Sequence, residues 1–141
     1  MTKNQSPTVY FLSVTDNTTK LNSICNVIQD HFYKKETILI SVASDEAAVY
    51  IDTLLWKMPE ESFIPHLIAK NTVNERVVIT TSQTNLNQAG VLVNLCSTMP
   101  TNINDFNVIY ELMDRTHPEK EILANKRKAA YEAAGLNILD T

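Results

Sequence analysis

Short apolar segments alternate with helical patterns along this chain, and this alternation limits the folds that the chain can adopt. Runs rich in β-branched and aromatic residues occupy residues 9–14, 37–43, 77–81 and 90–96. Each run is short and apolar on both faces, which is typical of strands in a mostly parallel sheet that is covered on both sides. The pattern predicts an α/β fold with three layers, α/β/α, in a single domain spanning residues 1–141.

Helices are predicted between these strands and after them. Apolar residues recur at helical spacing over residues 21–32, and further helices are expected at about 46–58, 106–114 and 118–134. Residues 116–119 fit a capping box with proline early in the last helix, and Gly135 suits the position that follows the helix end. Ile138 and Leu139 are expected to form a short terminal strand or simply to dock.

Composition excludes several classes of function. With 12 Lys and Arg against 16 Asp and Glu, the net charge of −4 argues against a protein that wraps nucleic acid over its whole surface. The chain holds only two glycines, Gly90 and Gly135, so neither a dinucleotide-binding nor a P-loop glycine motif can be written. We therefore expect no cofactor, no catalytic residues and no direct DNA binding of consequence.

Localisation and metal content follow from similar arguments. No apolar run approaches the roughly 20 residues of a membrane helix, and the polar N-terminus has no apolar segment typical of a secretion signal. A cytoplasmic location and two buried thiols, Cys25 and Cys96, are expected. The three histidines, His31, His66 and His117, have no ligand-spaced partners, so no metal site is predicted. His66 is expected to hydrogen-bond within its own loop.

One aromatic residue does not fit the core pattern. The apolar stripe of the second predicted helix runs through Ala47, Ile51, Leu54, Leu55 and Met58, and Trp56 points about 150° away from its centre at 100° per residue. Phe63 follows in a loop between two prolines. Either Phe63 and Ile64 cover Trp56, or the two rings form a partner-docking surface, or one ring is covered and the other is offered.

The residues around Trp56 also carry a resemblance to a known family. Residues 54–66, LLWKMPEESFIPH, resemble the L-W-x-x-P-x-E-S-F-x-P-H signature of the chi subunit of bacterial DNA polymerase III. Residues 9–12 resemble the family's opening strand, and residues 130–137, AYEAAGLN, resemble its closing helix end. The resemblance implies a Rossmann-like domain without a nucleotide site. It further implies two partners: the psi subunit of the clamp loader and the acidic, Phe-terminated tail of single-stranded DNA-binding protein (SSB).

Site residues follow from that resemblance. Carried over by position, Trp56, Phe63, Ile64 and Pro65 belong to the psi-facing side. The SSB tail is expected on the basic last helix, at Asn125, Lys126, Arg127, Lys128 and Tyr131. Two basic positions of the family fall here on Asn125 and Ala129, and an aromatic one falls on Lys128, so the cationic cluster is retained in a shifted arrangement.

Two alternatives from other functional classes remain open. A small α/β enzyme acting on a nucleotide or a phosphorylated substrate would hold the anion at a helix N-terminus, with Asn17, Thr18 and Thr19 as candidate donors. A receiver-like regulatory domain would use Asp16 and Asp45, which follow the first two predicted strands. The third predicted strand is instead followed by hydroxyl residues, which disfavours a receiver.

Overall fold

The computed structural model describes residues 6–58 and 63–141. Seven strands and three α-helices follow one another in these residues: β1 Thr8–Val14, α1 Asn17–Tyr33, β2 Ile38–Ser41, α2 Asp45–Trp56, β3 Leu67–Ile68, β4 Val77–Thr80, β5 Val91–Asn94, β6 Val108–Asp114, α3 Pro118–Ala133 and β7 Asn137–Asp140. A short 3₁₀ turn, Ile103–Asp105, precedes β6. None of the helices in the described part of the chain is long and apolar enough to cross a membrane.

The strands form one sheet in the order β3-β4-β2-β5-β6-β1-β7. All of its described strand pairs are parallel. Because parallel strands point the same way, all their carboxyl ends meet at one edge of the sheet. The predicted α/β fold with a mostly parallel sheet is confirmed.

Helices cover both faces of this sheet. On one face, α1 and α2 pack through Ile24, Ile28, Ile51 and Leu55 against alternate strand residues such as Ile40. On the other face, α3 packs through Ala124 and Tyr131 against the strand residues whose side chains point to that face, Phe11 among them. The strands between the two layers are buried on both sides, which explains their nearly continuous apolar sequences.

Helix ends agree only in part with the predictions. Asp16 caps α1 by accepting a hydrogen bond from the Thr19 amide at 2.8 Å. Gly135 follows α3 with a φ of +79°, as expected of a residue in this position. The predicted capping box at the start of α3 is wrong, because His117 is the N-cap and makes no capping hydrogen bond. The Thr116 hydroxyl donates to Asp114 instead.

Residues 106–114 do not form the predicted helix. Residues 108–114 are β6, which lies between β5 and β1 in the middle of the sheet. Phe106, Ile109 and Met113 have helical spacing, but a strand buried on both faces is apolar at most positions and therefore matches that spacing by coincidence. The prediction also missed β3, whose two residues are too few to give a periodic signal.

Candidate interaction surfaces

Trp56 and Phe63 form an exposed aromatic pair at the end of α2. Trp56 is the last residue of this helix and is 56% exposed, while Phe63 is 43% exposed. Their ring centroids lie 5.2 Å apart with an interplanar angle of 32°. The prediction that Trp56 faces away from the sheet is confirmed. Neither of the expected arrangements in which a ring is covered is found, because the two rings lie against each other and both remain accessible.

The neighbouring residues divide between core and surface. Ile64 is fully buried and packs with the core of the α1 and α2 face, so it is not part of the accessible aromatic surface. Pro65 remains exposed beside Phe63. The reversal of side-chain direction between successive extended residues places Phe63 outside and Ile64 inside. Pro59 and residues 60–62, which complete the family signature, lie outside the described residues.

The His66 ring packs against the Trp56 indole at a tilted angle. Its side chain is fully buried, and the centroids of the two rings are 4.8 Å apart. His66 Nδ1 is 2.7 Å from the carbonyl oxygen of Ile64, which confirms the expected hydrogen bond within the loop. Nε2 is 3.2 Å from Asp52 Oδ1, one helical turn before Trp56. A buried histidine thus connects the loop that carries Phe63 to the helix that carries Trp56.

The outer face of α2 carries two further exposed apolar side chains. Val49 and Tyr50 are each 57% exposed, although both are large and apolar in character. Neither residue was predicted as a surface residue, because the apolar stripe points most clearly to the residue farthest from it, Trp56. A helical wheel places Val49 seven residues before Trp56, on the same side of the helix, and could have found it.

The basic helix α3 directs part of its polar sequence inwards. Arg127 is 8% exposed and Tyr131 is fully buried. Arg127 Nε donates to Glu111 Oε1 at 2.8 Å, the Tyr131 hydroxyl donates to Oε2 at 2.6 Å, and Asn94 Nδ2 donates to the same oxygen at 2.7 Å. Both oxygens of one buried carboxylate are therefore bound by side chains from α3 and β5.

This burial changes the protonation chemistry of the cluster. Burial raises the pKa of Glu111, and the positive charge of Arg127 with the three donated hydrogen bonds opposes that shift. Burial, and then the neighbouring Glu111 carboxylate, raise the pKa of Tyr131, so its phenol stays protonated and remains a donor. The cluster fastens α3 to the centre of the sheet.

The five residues expected to hold the SSB tail do not converge on one site. Arg127 and Tyr131 point to the core. Asn125 Nδ2 donates to the Glu121 carbonyl at 3.1 Å, and Lys128 Nζ pairs with Asp140 at 3.0 Å. Lys126 is exposed, with no ion-pair partner among the residues that the structure describes. Arg127 follows Ala124 by three residues and precedes Tyr131 by four, so its place on the buried stripe could have been read from the sequence.

A cleft of about 520 Å³ opens at the carboxyl edge of the sheet. One wall comes from α1 and α2 and includes Leu21 and Tyr50, and the opposite wall comes from α3 and includes Lys120 and Leu123. Lys120 is half-buried and has no ion-pair partner within the described ranges. The Arg127 side chain also lines this cleft. Apolar walls and cationic groups thus lie together in one cavity, which sequence reasoning did not anticipate.

An ion pair closes the sheet side of the cleft. Lys20 Nζ donates to Asp114 Oδ2 at 2.7 Å, and both residues line the cleft. Burial alone would raise the pKa of Asp114, but the hydrogen bonds from Lys20 and Thr116 outweigh it and lower the pKa to about 2. The carboxylate is therefore ionised at neutral pH and holds Lys20 in place.

The residues proposed for other chemistry have structural partners. Asp16, at the N-terminus of α1, accepts hydrogen bonds from the Thr19 amide and hydroxyl, which lower its pKa. Of the three candidate donors there, Asn17 lines the cleft. Asp45 pairs with Lys70 at 3.2 Å on the surface. No group of three or more potential metal ligands occurs among the residues described.

Comparison with known proteins identifies the family. The family model for the DNA polymerase III chi subunit, HolC, matches residues 7–139. The chain belongs to the chi subunit family of DNA polymerase III. It is similar to the DNA polymerase III subunit chi of Escherichia coli (strain K12), with 22% identity over 118 residues that cover 82% of this chain and 80% of that protein. A chi-family chain is an accessory subunit of DNA polymerase III and a component of its holoenzyme.

Proposed function

We propose that this chi-family chain is a non-catalytic docking subunit that connects the clamp loader, through psi, to SSB. The observation that carries the proposal is the exposed Trp56–Phe63 pair, which lies in the segment that resembles the family signature. We treat residues 1–141 as one chi-like domain, since a single sheet includes strands from Thr8 to Asp140. Its place of action is the cytoplasm, where the replication machinery works, and its contact with DNA is indirect.

The psi subunit is proposed to dock on Trp56, Phe63 and Pro65. Large aromatic rings that are partly exposed lose more water-accessible apolar area on binding than other residues, and they dominate the energy of many protein interfaces. The exposed Val49 on the same side of α2 extends the apolar area available to such a partner. Ile64 supports the surface from below rather than touching the partner.

Substitution of Trp56 tests this surface. Trp56→Ala is expected to abolish binding of purified psi in isothermal calorimetry, because the ring is an anchor of the interface. Ile122→Ala is the matched control, since Ile122 is also 56% exposed but lies on α3. Unchanged psi affinity in Trp56→Ala would refute the docking surface, as would an equal loss in Ile122→Ala.

The SSB tail is proposed to bind beside α3, with its terminal phenylalanine in the carboxyl-edge cleft. Support comes from Lys120, which has no ion-pair partner within the described ranges and lines the same cavity as the apolar side chains of Leu21 and Leu123. Lys20 and Arg127 also line this cavity, where they pair with Asp114 and Glu111. An acidic peptide with an apolar last residue needs this combination of cationic donors and an apolar slot. The exposed Lys126 and the partly exposed Lys128 would meet the acidic residues farther along the tail. Asn125 lies next to them on α3, and Tyr131 contributes from the core by holding Glu111.

A synthetic acidic peptide ending in Ile-Pro-Phe tests this site. We expect binding between low-micromolar and sub-millimolar affinity, weakening as salt screens the charges. Lys120→Glu should weaken binding strongly, while Lys34→Glu, an equal charge change at the exposed end of α1, should not. Absence of binding at low salt, measured by fluorescence anisotropy, would exclude the tail from this chain's partners.

A nucleotide-binding role is the second candidate, and the position of the cleft favours it. Ligands of open parallel sheets bind outside the carboxyl ends of the strands, where this cleft lies. Against this role, the Thr19 amide at the N-terminus of α1 already donates its hydrogen bond to the Asp16 carboxylate. A thermal-shift measurement with ATP separates the two candidates, because clear stabilisation would support the nucleotide role.

A further inference from the structure

The contacts of His66 define its protonation requirements. A carbonyl oxygen can only accept, so the short contact with Ile64 requires a proton on His66 Nδ1. In the neutral ring, Nε2 then carries a lone pair and faces a carboxylate oxygen of Asp52 at 3.2 Å. Nε2 is therefore a buried nitrogen that makes no hydrogen bond in the described structure, although a carboxylate lies within ion-pair distance of it.

A second proton on the ring would give this nitrogen a charge that Asp52 can balance. The imidazolium form carries hydrogen on both nitrogens, so it can donate to the Ile64 carbonyl and form an ion pair with Asp52. Among the described contacts of the ring, Asp52 supplies the charged group from α2, the loop supplies the Ile64 carbonyl, and Trp56 supplies an aromatic face. Burial strengthens the ion pair because little water screens it.

We propose that Asp52 and His66 form a proton-dependent clamp that positions Trp56 for partner docking. The inference rests on the proposed function of the Trp56–Phe63 surface. With His66 protonated, the ion pair joins the loop of Phe63 to the helix of Trp56 and holds the two rings in their observed stack. Loss of the proton removes this ion pair while Ile64 still anchors the loop, and the two exposed rings then have to be ordered when the partner binds. Asp52 and His66 are therefore positioning residues, while Trp56 makes the contact.

The isolated protein offers a direct readout, since Trp56 is the only tryptophan of the chain. A protonated imidazole next to an indole quenches its fluorescence. The emission of Trp56 is expected to rise as the pH increases and His66 loses its proton. His66→Gln should abolish this transition. His117→Gln, which changes an exposed histidine at the start of α3, should leave it unchanged.

Partner binding gives the second readout. Affinity for purified psi should fall about 2- to 10-fold as the pH rises through the Trp56 transition, the effect of having to order one side chain on binding. His66→Gln should bind with the weaker affinity at every pH, and Asp52→Glu should recover part of the binding lost in Asp52→Asn. Urea denaturation of each variant establishes that it is folded under the binding conditions. Asp52→Asn provides a second test if His66→Gln does not fold, because Asp52 is partly exposed.

The outcomes separate this clamp from the docking function itself. If Trp56→Ala abolishes psi binding while His66→Gln and Asp52→Asn keep the affinity and pH profile of the unmodified protein, the clamp is refuted and the docking surface stands. If Trp56→Ala leaves binding unchanged, the docking surface fails, whatever the fluorescence shows. A Trp56 emission transition that persists in His66→Gln also overturns the clamp.

Discussion

Arg127 on α3 donates its Nε hydrogen to Glu111 on β6 at 2.8 Å, and this pair is almost completely hidden from solvent. One of the four cations of a helix that is basic in sequence is therefore part of the core. Buried charges of this kind are stable only when their partners are in place, because desolvation is costly. The pair explains why the charge of α3 is a poor guide to its surface.

Arg127→Ala should reduce the free energy of unfolding by about 3–5 kcal/mol, because the Glu111 carboxylate would remain buried without a positively charged partner. Urea denaturation at neutral pH measures the change. Lys126→Ala, at the adjacent exposed position, should stay within about 0.5 kcal/mol of the unmodified protein. Equal effects of the two substitutions would show that Arg127 does not hold a buried carboxylate.

Tyr131→Phe removes a single hydroxyl from the same cluster. The lost hydrogen bond to Glu111 should cost about 1–3 kcal/mol, since one oxygen of the buried carboxylate loses a donor while the ring still fills its space. Tyr50→Phe is the control, because Tyr50 is 57% exposed. Denaturation curves in which both variants match the unmodified protein would contradict the role of this hydroxyl.

Asp114 should make the stability of the protein depend on acid pH. Its pKa falls from 3.8 to about 2 on folding, so the folded state favours the ionised form. The stabilisation, about 2 kcal/mol, is present above pH 4 and is lost as the pH falls towards 2.

Denaturation of Asp114→Asn at several pH values tests this dependence. The difference in unfolding free energy between this variant and the unmodified protein should be largest near neutrality and should narrow between pH 4 and 2. Asp140→Asn, a change at a carboxylate whose side chain is 64% exposed, should show little narrowing. A difference that is constant with pH would contradict the assigned pKa shift.

Ile64 and Trp56 should respond in opposite ways to truncation. Ile64→Ala removes a fully buried side chain and should cost about 2–5 kcal/mol of stability, whereas Trp56→Ala should cost less than about 1 kcal/mol because the indole is 56% exposed. Thermal or urea denaturation gives both values. A cost of several kcal/mol for Trp56→Ala would place the indole in the core and would remove the basis of the docking surface.

Local patterns in the sequence were sufficient for the features that depend on near neighbours. The periodicity of α1 and α2, the four main predicted strands, the helix end at Gly135 and the outward direction of Trp56 all follow from residues within a few positions of each other. Side-chain direction along a helix repeats every 3.6 residues, so a stripe of apolar residues fixes which residues face away from it.

The tertiary structure decided the features that depend on distant partners. Residues 108–114 became a central strand because β5 and β1 bind both of its edges, although their spacing also suits a helix. The cleft joins Lys20 and Lys120, which are far apart in sequence and meet only because parallel strands bring their carboxyl ends to one edge.

The sequence by itself determined the α/β alternation, the absence of glycine phosphate loops and the displaced Trp56. Only the tertiary structure decided that Ile64 is internal, that Arg127 and Tyr131 share Glu111 as their partner and that His66 packs against the indole. The physical reason is the range of the interactions: helical and strand periodicity arise within a few residues, whereas burial and ion pairing depend on which remote segments the fold brings into contact.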